Sequence, residues 1–421
     1  MTDHNKQLPV DDDLDLSWDD DYFHTDFTRR QTLDMMAAGG LAGALSLLPG
    51  LSSPAFAAPE DEVVRIGYIP ITDATSLLVA HGMGFLKDEG LDAEQPTLIR
   101  GWSPLIEAFA AGKFNLVHFL KPIPVWMRYN NKFPIKVMAW AHTNGSGLVV
   151  GGHTGVKTWQ DLEGKQIAVP YWYSMHNIVL QFALRQSGLT PTIKPEGTAL
   201  GPKEVNLQIL QPPDMPTALA AKKIDAYIVA EPFNAMGELK AGATMLRFTG
   251  DIWKNHPCCV VCMHENMTKN KKEWTQKVVN AVVRASVYAS QNKKEVAHML
   301  SKDGKAYLPM PAAVIERAMT LYDQKTYAAP KAIQHPEWGN DRINFNPWPY
   351  PTATKLIIDE MNKALVSGDK TFLADLKPDF VVNDLVEYEF VKNALAKYPD
   401  WKKDPSVNPS DPFNRVEELK L

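Results

Sequence analysis

The stretch Arg65–Leu91, which reads RIGYIPITDATSLLVAHGMGFLKDEGL, decides the fold. It begins with a short strand-forming run, continues through a polar loop at Thr72–Thr75, and ends in a helical pattern that Gly90 closes. One face of this predicted helix holds Leu77, Leu78, His81, Phe85 and Leu86. A loop that ends a strand and begins a helix presents backbone N–H groups to a ligand. The stretch therefore predicts one wall of a cleft, where Thr72 and Asp73 either cap the helix or contact a ligand.

Length and composition predict a globular protein of several domains. A chain of 421 residues is too long for one ordinary core, and about two or three domains are expected. Hydrophobic residues make up 45% of the chain and charged residues 22%, which argues against disorder. Beyond the N-terminus no apolar run approaches the roughly 20 residues of a membrane span, so we expect a soluble mature protein.

The first 57 residues have the pattern of a twin-arginine signal peptide. Arg29-Arg30 lies in the run TRRQTL, a small-residue apolar segment follows at Met35–Leu48, and Ala55-Phe56-Ala57 offers a cleavage site. The alternative is a surface helix with an accidental arginine pair. The signal predicts export in the folded state through the twin-arginine machinery and a periplasmic location.

Charge gives no indication of a nucleic-acid partner. Residues 1–57 hold ten Asp and three Lys or Arg, a formal charge of −7, so the remaining residues of the chain carry a net charge of +2. The basic run Lys269-Asn270-Lys271-Lys272 is short, lacks interleaved aromatic residues and is typical of a solvated helix start. We therefore predict that the protein does not bind nucleic acid.

From Val63 to His264 short apolar runs alternate with helical patterns. Strands are predicted at Val63–Tyr68, Ala93–Ile99, Leu116–Leu120, Ile135–Trp140, Leu148–Gly151, Gln166–Val169, Val205–Leu210, Ala226–Val229 and Cys258–Met263. Helices are predicted at Trp102–Ala111, Met175–Gln186, Met215–Ala221 and Phe233–Lys240, and after His264 at Lys271–Gln291, Lys293–Leu300, Pro311–Tyr322, Thr352–Val366 and Leu385–Tyr398. This alternation is typical of α/β folds in which helices cover open sheets.

Several motifs resemble those of the nitrate- and bicarbonate-binding proteins of ABC importers, which belong with the sulfonate, taurine and thiamine-precursor binders. They are the opening stretch, GW at Gly101-Trp102, HFLKPIP at 118–124, TNGSGLVV from Thr143, DLEGKQIAVP at 161–170, MHN at 175–177, AEPFNA at 230–235, DIWKNHP at 251–257 and INFNPWPYP at 343–351. They occur in order over most of the chain.

The resemblance implies a two-lobed periplasmic binding protein of type II that closes on its ligand. It implies that residues 62–151 and 258–397 form lobe one, with a helical C-terminal extension, and that residues 152–257 form lobe two. Leu148–Gly151 and Cys258–Met263 would be the two crossover hinge strands, and 398–421 an irregular tail. It further implies a monomer without a cofactor, whose partners are a small solute and an ABC permease.

The resemblance places Trp102, Ser146, His176 and Glu231 at the cleft. Trp102 opens a helix whose first N–H groups could meet an anion, and His176 could donate a ring N–H to an oxyanion. Either could instead be a structural residue. At the position of Ser146 the nitrate binders place a longer amide donor, which weakens the case for a planar anion. Glu231 would suit a cation, an amine or a metal-bridged anion, unless it pairs internally or caps a helix.

Aromatic residues cluster near the predicted cleft. Trp140, Tyr171, Trp172 and Tyr173 could form a cage for an organic cation or a shelf for a ring, or could be core residues. We include Tyr173 among the candidate ligand contacts.

All three cysteines lie in the segment HPCCVVCMH at 256–264. If this segment is a strand, Cys258 and Cys262 share a face about 13 Å apart, whereas Cys259 points the other way. That spacing excludes a disulfide and scatters potential metal ligands, so we predict buried apolar thiols and no metal site. Cys259 nevertheless occupies roughly the place where nitrate binders carry a basic residue and bicarbonate binders an acidic one, which makes it a further candidate ligand contact.

Two classes of function remain open. The first is a solute-binding protein without chemistry of its own, which captures a nitrate-, bicarbonate- or sulfonate-like anion or a small nitrogenous compound. It is favoured by the absence of nucleophile motifs such as G-x-S-x-G. The second is a metal- or thiol-dependent enzyme that resembles the thiamine-precursor pyrimidine enzyme. It would use Cys258, Cys259 and Cys262 with His256 or His264.

Overall fold

A computed structural model describes residues 62–421, so the predicted signal peptide at 1–57 lies outside the described residues. The strands are β1 Ile66–Tyr68, β2 Thr97–Leu98, β3 Leu116–Leu120, β4 Ile135–Trp140, β5 Thr143–Asn144, β6 Ser146–Gly151, β7 Gln166–Val169, β8 Thr190–Thr192, β9 Glu204–Ile209, β10 Ala226–Ala230, β11 Ala243–Phe248, β12 Cys259–His264 and β13 Ile343–Asn344. The helices are α1 Thr75–Gly82, α2 Phe85–Asp88, α3 Trp102–Ala110, α4 Pro122–Val125, α5 Met175–Gln186, α6 Met215–Ala220, α7 Phe233–Lys240, α8 Glu265–Asn270, α9 Lys272–Gln291, α10 Lys293–Leu300, α11 Ala312–Thr320, α12 Pro351–Lys363, α13 Pro378–Leu385 and α14 Tyr388–Lys397.

Two separate sheets define two lobes. The first has the order β2-β1-β3-β12-β4, with β1 parallel to β2 and β3 and with β12 antiparallel to both of its neighbours. The second has the order β11-β6-β10-β7-β9-β8. Strands such as β3 (LVHFL) and β10 (AYIVA) are buried along their whole length, as expected for central strands covered on both faces. The predicted two-lobed α/β architecture is confirmed.

The chain crosses between the sheets at places that differ from those predicted. Strand β6 already belongs to the second sheet, where it pairs with β10 and β11, and β12 belongs wholly to the first. The crossings are therefore the connectors 141–145 and 249–258. They pair with each other at Thr143 and Pro257. The predicted lobe boundary after residue 151 accordingly moves to the segment just before Ser146.

The helix predicted in the opening stretch is broken into two. Helix α1 ends at Gly82 and α2 begins at Phe85, because Gly84 adopts a left-handed conformation with φ of 77°. Upstream of the break, β1 ends in a short 3₁₀ turn at Thr72–Ala74 that leads directly into α1. The predicted strand-loop-helix order is thus present, with a shorter helix.

The C-terminal third is mostly helical; α9, α13 and α14 pack on the first sheet, whereas α11 packs against α7 of the second lobe. Its longest helix, α9, buries an apolar face against α1 and α14. The segment after α14 contains a 3₁₀ turn at Pro399–Lys403 and is otherwise irregular, and it buries Trp401 and Val407. Between residues 62 and 421, no helix is both long enough and apolar enough to cross a membrane.

Candidate functional site

The two lobes meet around the 3₁₀ turn that follows β1. The backbone N–H of Thr72 donates to the carbonyl of Glu231 at 2.8 Å, and its hydroxyl donates to the same oxygen at 3.1 Å. At the rim, the guanidinium of Arg100 lies 2.8 Å from the carboxylate of Asp214. These bonds join residues of the first lobe to residues of the second. The structure therefore shows a closed cleft, in which Thr72 holds the lobes together.

Asp73 lies at the centre of a buried cluster that the two connectors complete. Its Oδ2 is 2.8 Å from Nε2 of His142, 3.1 Å from Sγ of Cys259 and 3.6 Å from Sγ of Cys258. All four side chains are inaccessible to solvent. The second carboxylate oxygen, Oδ1, is buried without a hydrogen-bond partner among residues 62–421. An acid, an imidazole and two thiols thus share one small volume.

The charges in this cluster depend on one another. Burial lowers the pKa of His142, but interactions with Asp73 and Cys258 together outweigh burial and raise the pKa to about 10. Burial raises the pKa of Asp73, and the imidazolium of His142 opposes this rise. Burial also favours the neutral thiol of Cys258, yet a hydrogen bond from Cys259 and nearby imidazoles hold its pKa well below the usual value. The pKa of Cys259 is raised by burial and by its anionic neighbours. The arrangement favours a protonated His142 beside the Asp73 carboxylate.

Two buried N–H donors lie close together in the first lobe. Nε2 of His118 accepts the backbone N–H of Ile69 at 3.1 Å, so in the neutral ring the proton is on Nδ1. Burial lowers the pKa of His118 to about 3, which keeps the ring neutral. The ring of Trp102 packs edge-on against it at 5.6 Å. Neither Nδ1 of His118 nor Nε1 of Trp102 has a partner among the described residues, although both are buried. Such orphan donors require an acceptor that the described residues do not supply.

His176 and Ser146 face each other across the start of the second lobe. Ser174 caps α5 by accepting the backbone N–H of Asn177 at 3.0 Å, which fixes His176 in the first helical turn. Nε2 of His176 lies 2.9 Å from Oγ of Ser146, and its Nδ1 is buried without a partner in the described chain. Oγ of Ser146 is 3.8 Å from Sγ of Cys258. The predicted residues Ser146 and His176 therefore lie next to the Asp73 cluster.

The structure pairs Glu231 internally. Its Oε1 accepts a hydrogen bond from Nε of Arg342 at 2.8 Å, and its Oε2 accepts the backbone N–H of Ala235 at 3.0 Å. Both Glu231 and Arg342 are fully buried. Both carboxylate oxygens of Glu231 therefore have partners. Arg342 balances the negative charge of Glu231, so a cationic or amine ligand is not needed to balance it.

The aromatic candidates do not form a cage. The ring of Tyr173 stacks on Trp126 at 5.7 Å, and its hydroxyl donates to the carbonyl of Asp369 at 3.0 Å, so it joins the segment before α5 to the first lobe. Burial raises the pKa of Tyr173 to about 12. Trp140 packs instead against Tyr350 and the guanidinium of Arg415.

Strand alternation predicted that the side chains of Cys258 and Cys259 point in opposite directions, and this prediction was wrong. Cys258 precedes β12 and is not part of its alternation, so its thiol and that of Cys259 converge on Asp73. Cys262 lies elsewhere, with its thiol 3.9 Å from the carbonyl of Val260. His264 caps α8 by accepting the backbone N–H of Asn266 at 3.1 Å and does not join the cluster.

Sequence reasoning missed His118 and His142. Both lie at the edge of motifs that carried the family resemblance, His118 in HFLKPIP and His142 directly before TNGSGLVV. The sequence indicated them only by their position within or beside a motif that carries the family resemblance. His256, which the sequence analysis named, is fully buried, and burial lowers its pKa to about 3.

Comparison with known proteins identifies related chains. A model of the NMT1-like family matches residues 57–301. The nitrate/nitrite binding protein NrtA of Nostoc sp. PCC 7120 is 25% identical over 385 residues, which cover 86% of this chain and 81% of that protein.

Two solved structures share the fold. The periplasmic nitrate-binding protein NrtA of Synechocystis PCC 6803 aligns with a TM-score of 0.67 at 18% identity, and the alignment covers 86% of this chain and 95% of NrtA. The ligand-binding component of an ABC-type import system from Staphylococcus aureus, solved with zinc bound, aligns with a TM-score of 0.59 at 19% identity, covering 79% and 99%. At these identities the likeness shows the fold, that of the periplasmic binding proteins.

Proposed function

The chain belongs to the NMT1-like family, and on that premise we propose that it is the solute-binding component of an ABC importer. It captures a small polar solute with acceptor oxygens, of the nitrate, bicarbonate or sulfonate kind, between its lobes and delivers it to the permease. Binding requires no chemistry by the protein. The sequence relative named for nitrate and nitrite binding supports this class of solute.

The observation that carries the proposal is the pair of buried donors in the first lobe. Nε1–H of Trp102 and Nδ1–H of His118 are enclosed in the closed structure without an acceptor among residues 62–421. A buried donor without a partner costs about 1–3 kcal/mol, and an anion that accepts both bonds removes that cost. Because His118 is neutral, its N–H group attracts an anion as a dipole and not as a full positive charge. This weaker attraction suits a solute that the protein must also release.

The contacts between lobes support binding by closure. Thr72 bonds to Glu231, Tyr173 stacks on Trp126, and Arg100 pairs with Asp214, so the closed state is held by several small interactions. Exposed ion pairs such as the last contribute only about 0–1 kcal/mol each. Such contacts form where the lobes meet, as hinge closure around a ligand requires.

We also infer where the protein acts and with which partners. Export by the twin-arginine route, suggested by residues 1–57, would place the protein in the periplasm, where a permease of the inner membrane can receive the solute. We propose that it acts there as a monomer.

Replacing Trp102 by phenylalanine tests the site. The ring and most of its packing remain, but the Nε1–H donor is lost. A hydrogen bond to a charged group contributes about 1.5–3 kcal/mol, so affinity is expected to fall about 10- to 100-fold. The ligand is first identified by thermal unfolding with nitrate, nitrite, bicarbonate and ethanesulfonate, since a specific ligand raises the melting temperature with its concentration. Affinity is then measured by isothermal titration calorimetry.

Trp274→Phe is the matched control. Trp274 lies in α9 and is not among the cleft residues described above. Its Nε1 donates to the carbonyl of Glu62 at 2.5 Å, and loss of this hydrogen bond is expected to leave the affinity for the anion unchanged. Equal affinity of the wild type and Trp102→Phe for the identified anion would show that the site is placed wrongly. A panel in which no anion raises the melting temperature would overturn the proposed solute class.

A further inference from the structure

We propose that Asp73, His142, Cys258 and Cys259 form a four-ligand site for a thiophilic transition-metal ion of the zinc(II) class. The ligand atoms are Oδ2, Nε2 and the two Sγ atoms, all of which lie within 4.8 Å of one another. The site lies beside the solute cleft. It does not depend on the proposed solute or on the permease.

The distances fit four-coordinate geometry. In a tetrahedral zinc site with bonds of about 2.0–2.3 Å, neighbouring ligand atoms lie roughly 3.3–3.8 Å apart. From Oδ2 of Asp73 the three other ligand atoms are at 2.8, 3.1 and 3.6 Å. Side-chain rotation that lengthens the shortest of these distances and shortens those between the other ligand atoms, which are at most 4.8 Å, would admit the ion at the centre.

The chemistry of the ligands selects the ion. Two thiolates and an imidazole bind soft and borderline metals such as zinc, whereas calcium and magnesium prefer oxygen ligands. The single carboxylate oxygen is an ordinary fourth ligand of zinc. A site with only one oxygen donor among four would bind Mg²⁺ and Ca²⁺ poorly.

The burial of these groups supports a ligand at this place. Oδ1 of Asp73 and Nδ1 of His142 are fully buried and have no partner among residues 62–421. Buried polar atoms of this kind are stable only when a partner satisfies them. Cys262 lies three residues after Cys259 on β12 and is equally buried. Among the described residues, however, its thiol does not contact an acid or an imidazole. Burial of a thiol alone therefore does not produce the cluster.

The ligands come from parts of the chain that a metal would tie together. Asp73 lies in the turn after β1, His142 on the outgoing connector, and Cys258 on the returning connector, directly before β12. A bound ion would fix both connectors to the first lobe at the point where the lobes rotate. Because such a site forms only in the folded chain, its binding free energy also stabilises the fold.

Cobalt(II) is the probe for this site. The reduced mature protein, residues 58–421, is titrated with cobalt(II) while its absorption spectrum is recorded. One equivalent is expected to bind, with intense visible bands of four-coordinate cobalt and a thiolate-to-cobalt charge-transfer band in the near ultraviolet. Zinc(II) is expected to displace it and to raise the melting temperature. Cys259→Ser is expected to lose the charge-transfer intensity of one thiolate and to weaken binding by more than about 100-fold, because loss of even an outer partner typically costs 10–100-fold.

Cys262→Ser is the matched control, and its spectrum and affinity are expected to equal those of the wild type. Asp73→Asn keeps the shape of the side chain and is expected to weaken binding with both thiolate bands present. Circular dichroism of each variant separates loss of the site from loss of the fold. Binding of cobalt(II) without a thiolate band would mean adventitious surface histidines and would overturn the site. A wild type that binds no cobalt(II), or a Cys262→Ser variant impaired as strongly as Cys259→Ser, would overturn it as well. None of these results depends on whether an anion binds.

Discussion

Replacing Arg342 by methionine is expected to lower the free energy of unfolding by about 3–5 kcal/mol, because the change leaves Glu231 as a buried charge without its partner. The guanidinium donates to Glu231 at 2.8 Å, to the hydroxyl of Tyr327 at 2.6 Å and to Glu238 at 3.2 Å. Burial raises the pKa of Glu231, and the charge of Arg342 opposes that rise. Urea unfolding followed by circular dichroism measures the loss.

The double variant Arg342→Met/Glu231→Gln is the control for this prediction. It removes the charge as well as its partner, so it is expected to recover a large part of the lost stability. Arg284→Met offers a surface comparison, because Arg284 pairs with Asp88 where both side chains are substantially exposed, and the expected loss is below about 1 kcal/mol. A loss in Arg342→Met no larger than in Arg284→Met would contradict the buried pair as a stabilising contact.

Deleting residues 404–421 is expected to cost about 3–5 kcal/mol of unfolding free energy. The segment buries Val407, packs the half-buried ring of Phe413 against Trp348 at 4.6 Å and lays the guanidinium of Arg415 over Trp140 at 4.8 Å. Burial of one large apolar side chain contributes about 1.5–3 kcal/mol, and each hydrogen bond about 1 kcal/mol. The hydrogen bonds that would be lost include those from Nε1 of Trp348 to the carbonyl of Phe413 and from Nε1 of Trp253 to Glu417.

Val416→Ala is the control within the same segment. Its side chain is 84% exposed, so the substitution is expected to change the melting temperature by less than the error of repeated scans. Thermal unfolding of the truncated and full mature chains then measures the contribution of the tail. An unchanged melting temperature after truncation would show that the tail rests on the surface without stabilising it.

Much of the secondary structure could be predicted because it depends on local patterns. Strands β3, β4 and β7 and helices α5, α7 and α10 have the predicted bounds, since each is a continuous buried run or a clear amphipathic repeat. Strand β8 was missed because Thr190–Thr192 is short, polar and contains a proline, as edge strands often do. The break at Gly84 was missed because a glycine inside an apolar repeat is compatible with either a helix or a turn.

The site could be predicted only in part. Asp73 was named from the loop pattern and Trp102, Ser146 and His176 from the resemblance, and all four are buried in the structure. The cysteines were judged by strand alternation, which does not apply to Cys258 because it precedes β12. His142 could not be recognised, because its partner Asp73 lies 69 positions earlier in the chain and nothing in either local pattern indicates the contact.

The sequence by itself determined the two-lobed α/β class, the order of most strands and helices and the family, because buried runs, helical repeats and short motifs are local properties of the chain. Only the tertiary structure decided which polar groups meet. It paired Glu231 with Arg342 across 111 positions, turned two thiols toward Asp73 and enclosed the N–H groups of Trp102 and His118, which have no acceptor among residues 62–421. The physical reason is that a buried polar group is stable only with a partner, and that partner is brought to it by packing of distant segments.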